Sequence, residues 1–186
     1  MIFIGIGANL PSPSYGGPRA TCGAALASLE DAELSIDARS RWYKSAPQPI
    51  SDQPWFVNAV IRANTPLDPA ALMSLLLKTE KTFGRLRAEK NAPRVLDLDL
   101  LAYGEMVLDG GDDGAGALHV PHPRLHERAF VLLPLRDVAP GWRHPASGDS
   151  VEDMIGALMT PRAASQQTEV MADGRGKYGT EWQKNL

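Results

Sequence analysis

Apolar and polar positions along the chain follow two different periods, and the changes between them mark out the elements. Residues 1–6 read as a short apolar strand that ends in Gly5-x-Gly7. Asn9 to Pro18 is a loop rich in Pro, Gly and Ser, and Arg19 to Leu29 has the Ala/Leu spacing of a modest helix. Glu33 to Ser45 alternates as a strand, and Trp55 to Asn64 as another. The segment between them, 46–54, is too proline-rich to continue a ladder. Asp68-Pro69 opens a second helix, with Asp as N-cap and Pro at the first position. Apolar residues recur there at Leu72, Leu75, Leu76 and Phe83, and Gly84 closes it. A last alternating stretch runs from Ala92 to Leu101.

The order is strand–helix–strand–strand–helix–strand, two split βαβ units, which predicts an α+β fold: a ferredoxin-like βαββαβ sandwich with an antiparallel sheet. Further helices are appended C-terminally. Arg124 to Val138 reads as helical in one or two pieces, and Ser150-x-x-Asp153 resembles a capping box before Met154-Ile155-Gly156-Ala157-Leu158. Gly104 to Ala117 holds a Gly/Asp-rich stretch and reads as a surface loop. After residue 160 the chain turns polar and aperiodic. The expected organisation is one domain over 1–160 and a weakly structured tail over 161–186.

Within the last alternating stretch, Asp97 and Asp99 must project from one face, while Leu96, Leu98 and Leu100 form a wholly apolar opposite face. Two carboxylates roughly 7 Å apart along a strand are costly on a face suited to burial unless something cationic sits between them. Oxygen-only ligands suit Mg²⁺, which takes one or two carboxylates and completes its shell with phosphates and water. An acidic alternating strand is also the ordinary mark of a solvated face. What separates the two is the lead-in: Lys78, Lys81, Arg85, Arg87, Lys90 and Arg94 lie just upstream, against only Glu80 and Glu89. Anion-binding groups feeding a pair of carboxylates describe a site for metal-bound polyphosphate.

Composition narrows the field. The 186 residues carry a net charge of −3, so the chain has no global attraction to nucleic acid or to an anionic membrane, and the basic cluster is local. Cys22 is the only cysteine, which excludes an intramolecular disulfide and a cysteine-based zinc cage. Met1-Ile2-Phe3-Ile4-Gly5-Ile6-Gly7 has no charged n-region or cleavage site, and no apolar run approaches membrane-spanning length. A cytoplasmic, soluble monomer is expected.

Five segments, in order and suitably spaced, carry a family resemblance over roughly residues 1–158. They are Gly7-Ala8-Asn9-Leu10, then 52–59 (Asp52-Gln53-Pro54-Trp55-Phe56-Val57-Asn58-Ala59), Gly84-Arg85-x-Arg87, Pro93-Arg94-Val95-Leu96-Asp97-Leu98-Asp99, and Val120-Pro121-His122-Pro123-Arg124-x-x-x-Arg128-Ala129-Phe130. Together they resemble the 6-hydroxymethyl-7,8-dihydropterin pyrophosphokinases of folate biosynthesis. The resemblance implies an ATP-dependent enzyme that moves the two terminal phosphates of ATP as a unit onto the hydroxymethyl group of a reduced pterin and releases AMP. It implies that Asp97 and Asp99 hold two Mg²⁺ ions and that Arg85, Arg94 and Asp97 act in catalysis. Nucleotide contacts fall to Glu80, Arg87, Leu100, His122 and Arg128. The pterin falls to Phe56 and Phe130 as stacking faces, Asn58 as in-plane amide, and Ser45, Ala46 and Gln48 as pocket wall. ATP and the pterin are then the partners, with no nucleic acid or membrane involved.

Asn91-Ala92 stands where many members carry Trp-Gly, Ala117 and His119 stand where relatives often have Arg and Thr, and the loop at 110–113 is longer than usual. Residues 84–94 are expected to close over bound ATP by charge more than by stacking. Two rivals stay open at this stage. One is a non-catalytic ferredoxin-like binding module, and the other is a two-metal nucleotidyltransferase, which would release pyrophosphate instead of AMP.

Overall fold

A computed structural model describes residues 1–85, 92–110, 118–158 and 166–180. Among them lie six strands, β1 (Ile2–Ala8), β2 (Ser35–Arg39), β3 (Trp42–Ser45), β4 (Phe56–Asn64), β5 (Asp97–Tyr103) and β6 (Thr168–Met171). Four helices accompany them, α1 (Pro18–Glu30), α2 (Pro69–Thr82), α3 (Ala129–Val138) and α4 (Val151–Leu158). All strand pairs are antiparallel, in the order β5-β1-β4-β3-β6, with β2 also on β4.

Local chemistry accounts for the boundaries. Asp68 caps α2 by accepting from the Ala71 amide at 2.8 Å, with Pro69 as its first residue. Ser150 and Asp153 exchange hydrogen bonds at the start of α4, as the capping-box spacing requires. The helical segment 124–138 does come in two pieces, a single 3₁₀ turn (Leu125–Glu127) and then α3. The stretch 33–45 differs from expectation, being two strands and not one. Ser40 lies between the two strands, donating from its amide to Val60 O and accepting from the Val60 amide at its Oγ, and before it the register on β4 slips between Ile36 and Ala38, with Asp37 as the extra residue. Such an inserted residue kinks a strand without leaving the sheet.

The two faces of the sheet are buried differently. Ile2, Ile4, Ile6 and Ala8 of β1, Ala59, Ile61 and Ala63 of β4, and Leu98 and Leu100 of β5 lie in one core with Cys22, Leu26 and Leu29 of α1 and Leu72 and Leu76 of α2. On the other face Phe3, Val60 and Leu101 join Val131, Leu132 and Leu135 of α3, together with Trp142, Val151 and Met154. Phe3 and Trp142 meet edge to face at 5.8 Å.

The weakly structured tail expected over 161–186 needs correction for its described part, 166–180. β6 extends the sheet beyond β3, and the chain then straps back across α1. Trp42 Nε1 donates to Tyr178 O at 2.8 Å, the Tyr178 side chain is buried in the core, and Arg39 pairs with Asp173. Gly23 of α1 makes room for the strap, since a Cβ there would lie 2.1 Å from Thr180 Oγ1. Every one of these partners is remote in sequence, so nothing in the polar, aperiodic tail itself announces them.

Candidate active site

Strand register places the site. Gly7 lies opposite Asp97 on one side and Asn58 on the other, and Gly5 lies between Asp99 and Val60. Phe56 stands opposite Ser45. Residues paired across strands share a face, so carboxylates, glycines and amide form one band across the sheet, beyond the end of the apolar cover. The glycines supply a floor with no side chains. A Cβ on Gly7 would come within 2.8 Å of Asn58 Oδ1.

A cavity of about 160 Å³ opens over this floor. On one side it is lined by Ser45, Ala46, Gln48, Phe56 and Asn58, and on the other by Arg85, Arg94, Asp97 and Asp99. His122, Arg128 and Phe130 close it above. Asn58 is buried, and its Nδ2 donates to Ser45 Oγ at 2.8 Å.

The carboxylates are held by guanidinium groups. Arg85 Nη1 is 2.8 Å from Asp97 Oδ1, Arg94 Nη1 is 2.6 Å from Asp97 Oδ2, and Arg128 Nη1 is 3.6 Å from Asp99 Oδ2. Burial and then the neighbouring Asp99 raise the Asp97 carboxyl above the usual carboxylate range, while Arg94 and Arg85 oppose that shift. Arg128 also lies over the Phe130 ring at 5.5 Å, so one guanidinium touches both the acidic and the aromatic part of the cavity.

His122 is oriented by its own loop. Its amide donates to Leu101 O at 2.8 Å, and its Nδ1 accepts from the Arg124 amide at 3.1 Å. Burial, Arg128 and Arg124 push its pKa down to about 4. At neutral pH the ring is therefore uncharged, and with Nδ1 acting as acceptor the proton sits on Nε2, available to donate.

Three expected contacts need qualification. Glu80 does not line the cavity. It is 2% exposed, accepts from the Leu98 amide at 2.7 Å and pairs with Arg85, so it holds that arginine from behind. Burial pushes its carboxyl up to about 7, against the Leu98 amide and Arg85. Leu100 is 1% exposed, with its side chain in the core on the α1/α2 face, because strand alternation turns it away from Asp99. Leu101 lines the cavity instead. Arg87, Asn91 and most of the expected lid lie outside the described residues.

Sequence patterns alone gave no role to Gly5, Gly7, Arg124 or Val131, all of which line the cavity. For the glycines the signal was present, two of them at i and i+2 in a strand otherwise built of Ile and Phe. Asn9 belongs to the first segment of the resemblance but carries no role there. Its Oδ1 accepts from the Arg94 amide at 2.7 Å, and its Nδ2 donates to Pro54 O at 3.0 Å, so it ties the arginine side of the cavity to the loop before β4.

Two carboxylates on one strand face, all-oxygen and part-buried, fit a hard divalent cation such as Mg²⁺. Among the described residues no third His, Cys, Asp or Glu completes a cage around them. Four guanidinium groups, those of Arg85, Arg94, Arg124 and Arg128, border the same cavity and suit phosphates.

An antiparallel sheet with helices on both faces thus carries a cavity bordered by two carboxylates, four guanidinium groups, an amide and two phenyl rings. Residues 3–140 match the model of the 7,8-dihydro-6-hydroxymethylpterin-pyrophosphokinase family, and the chain belongs to that family. It is 39% identical over 125 residues to the 2-amino-4-hydroxy-6-hydroxymethyldihydropteridine pyrophosphokinase of Synechocystis, covering 67% of this chain and 60% of that one. It is 38% identical over 157 residues to the Pseudomonas aeruginosa protein of the same name, covering 84% of this chain and 90% of that one. Among solved structures, the Plasmodium falciparum HPPK-DHPS triple mutant shares the fold with a TM-score of 0.66 at 12% identity, over 87% of this chain and 44% of the other. The chain thus spans less than half of that solved relative and 60% of the Synechocystis one. No described helix is long and apolar enough to cross a membrane.

Proposed function

We propose that the protein transfers pyrophosphate from ATP to the hydroxymethyl group of 6-hydroxymethyl-7,8-dihydropterin, giving AMP and the pterin diphosphate, as a cytoplasmic monomer in folate biosynthesis. The observation that carries this reading is the placement of Asp97 and Asp99 across a glycine floor from Asn58 and Phe56, within one cavity. A polyphosphate held by the carboxylate side and a flat heterocycle held by the amide side then meet over Gly5 and Gly7. On the same reading the fold is a ferredoxin-like sandwich ending at β5, and the order β1-α1-β2-β3-β4-α2-β5, with α3 and α4 following, supports it.

On this reading the pterin stacks between Phe56 and Phe130, and its polar edge pairs with Asn58 and with the backbone of 45–48. Two Mg²⁺ ions held by Asp97 and Asp99 would neutralise charge on the phosphates when bound. Arg85, Arg94 and Arg128 grip phosphate oxygens, and neutral His122 donates from Nε2. Arg87 is assigned to the nucleotide as well, with Glu80 fixing Arg85 and Leu100 reaching the nucleotide only through its backbone. The pterin hydroxyl oxygen attacks the β-phosphorus, the bond from that phosphorus to the α–β bridging oxygen breaks, and AMP leaves with the electron pair. Asp97 is the nearest candidate to help take up the hydroxyl proton. Positioning and electrostatics supply most of the acceleration in such transfers.

Incubation with ATP, Mg²⁺ and the reduced pterin should release AMP in step with pterin diphosphate. Release of inorganic pyrophosphate in place of AMP would identify a nucleotidyl transfer and sink the proposal. ATP binding without any pterin-dependent turnover would favour a binding module.

A further inference from the structure

Arg128 and Phe130 form the upper wall of the cavity, yet the turn that presents them has no cap of its own. Arg128 is the N-cap residue of α3, its backbone is extended (φ −123°, ψ 110°), and it makes no side-chain capping hydrogen bond. An uncapped first turn leaves orphan amide donors. One of these, the Ala129 amide, is satisfied from outside: it donates to Gln166 Oε1 at 2.8 Å. The other end of the same carboxamide, Gln166 Nε2, donates to Glu127 O at 2.8 Å. A single side chain 37 residues beyond Ala129 thus holds the backbone on both sides of Arg128.

The next residues along the chain hold the opposite wall. Gln167 O accepts from the Ala46 amide at 3.0 Å, and Thr168 pairs with Ser45 in the ladder between β3 and β6. Ser45 in turn accepts from Asn58 Nδ2. Residues 166–168 therefore span the two walls of the aromatic side of the cavity, and they lie beyond residue 140, where the family match ends.

We infer that Gln166 is a positioning residue for the pterin side of the site: its carboxamide acts as a cap supplied by the C-terminal segment, and it fixes Arg128 and Phe130 over the glycine floor. The inference rests on the function proposed above. Both amide ends are engaged, so side chains at 166 fall into a ranked series. Glu retains the acceptor for the Ala129 amide, and a negative charge suits a helix N-terminus, but it loses the donor to Glu127 O. Met retains the length and loses both bonds.

The experiment combines steady-state kinetics with a ligand-free readout on Gln166→Met and Gln166→Glu. With both substrates varied, Gln166→Met should lower kcat/KM for the pterin about 10-fold, the effect of losing one well-placed contact, while KM for ATP changes little. Gln166→Glu should recover part of that loss. Without ligand, Gln166→Met should speed hydrogen exchange at the Ala129 amide and shift the Arg128 side-chain resonances, with the far-ultraviolet spectrum unchanged. Equal loss for ATP and pterin, or Glu no better than Met, overturns the inference by showing a merely structural role. Unaltered Ala129 exchange and Arg128 resonances overturn it whether or not the wild type turns over. A wild type that releases no AMP, with the exchange and resonance changes present, removes the proposed reaction and leaves the positioning geometry standing.

Discussion

β5 presents two faces that differ in everything but length. Toward α1 and α2 it offers Leu98 and Leu100, each almost fully enclosed, and its neighbours there are Ile4 and Ile6 on β1 and Ala59 and Ile61 on β4. Toward α3 it offers Asp97, Asp99 and then Leu101, and of these only Leu101 lies in the apolar core. The helices over this second face stop partway along the strands. Where they stop, side chains change from apolar to charged or amide, and on β1 to none at all. One face carries stability from end to end, and the other divides between core and site. Substitutions a single residue apart on one strand should therefore fail in different ways.

The largest effect is expected on the open face. Asp97→Asn and Asp99→Asn should each lower turnover by about 10³-fold or more, because each removes charge that the transferring phosphates and their Mg²⁺ require. Thermal unfolding should barely change, since the pair lies outside the apolar core. A variant with near-normal AMP release would remove the carboxylate from the metal site.

One residue away, Leu98→Ala should do the reverse. The side chain is 3% exposed within the α1/α2 core, and its loss should destabilise the protein by about 2–5 kcal/mol in chemical denaturation. Below the unfolding transition, kcat/KM should stay close to that of the wild type. A larger loss of activity than of stability would mean that the closed face is not separable from the site.

Gly7→Ala tests the floor. The added Cβ would press on Asn58 Oδ1 at 2.8 Å, and the amide must move to relieve it. Pterin affinity should fall about 10-fold by calorimetry, the cost of a misplaced hydrogen bond, with ATP affinity little changed. Equal weakening of both ligands would show that the glycine serves the whole site and not the amide side.

The smallest effect is in pH dependence, which runs in opposite senses for His122 on the open face and for Glu80 on α2. His122 is held at about 4 in the folded chain against 6.5 for an ordinary histidine, so the unfolded chain binds the extra proton first. Its contribution to stability is present above pH 6.5 and should be lost as pH falls toward 4. Glu80, raised to about 7 from 4.5, works in the opposite sense, since its contribution is full below 4.5 and fades as pH rises through 7. Urea midpoints of the wild type compared with His122→Gln isolate the histidine. The wild type should lose ground to the variant between pH 6.5 and 4, and parallel curves would contradict the burial assigned to it.

The alternation of Asp97, Leu98, Asp99 and Leu100 made both faces of β5 legible in the sequence, and the caps at Asp68 and Ser150 located their helices. The alternation also contains the fate of the Leu100 side chain: a residue next to the outward Asp99 must point inward, which leaves only its backbone for a ligand. Glu80 was found but its role was not, because helix position alone does not tell whether a carboxylate reaches a ligand or a strand amide. Partners remote in the chain left least trace. Asn9 beneath Arg94, Ser40 at the break in the second strand and Gln166 above Ala129 each act through a few hydrogen bonds, and hydrophobic periodicity carries no record of those.

The close fit of Thr180 against Gly23 has a consequence for how this sequence can drift. With the strap in place, a side chain at position 23 has nowhere to go, because its first carbon would lie 2.1 Å from the Thr180 hydroxyl oxygen. Remove the strap and the same helix position is free to take alanine, which a helix prefers. The two positions are thus bound in inheritance: across related chains, glycine at 23 should travel with an extension long enough to reach α1, and shortened chains should release it.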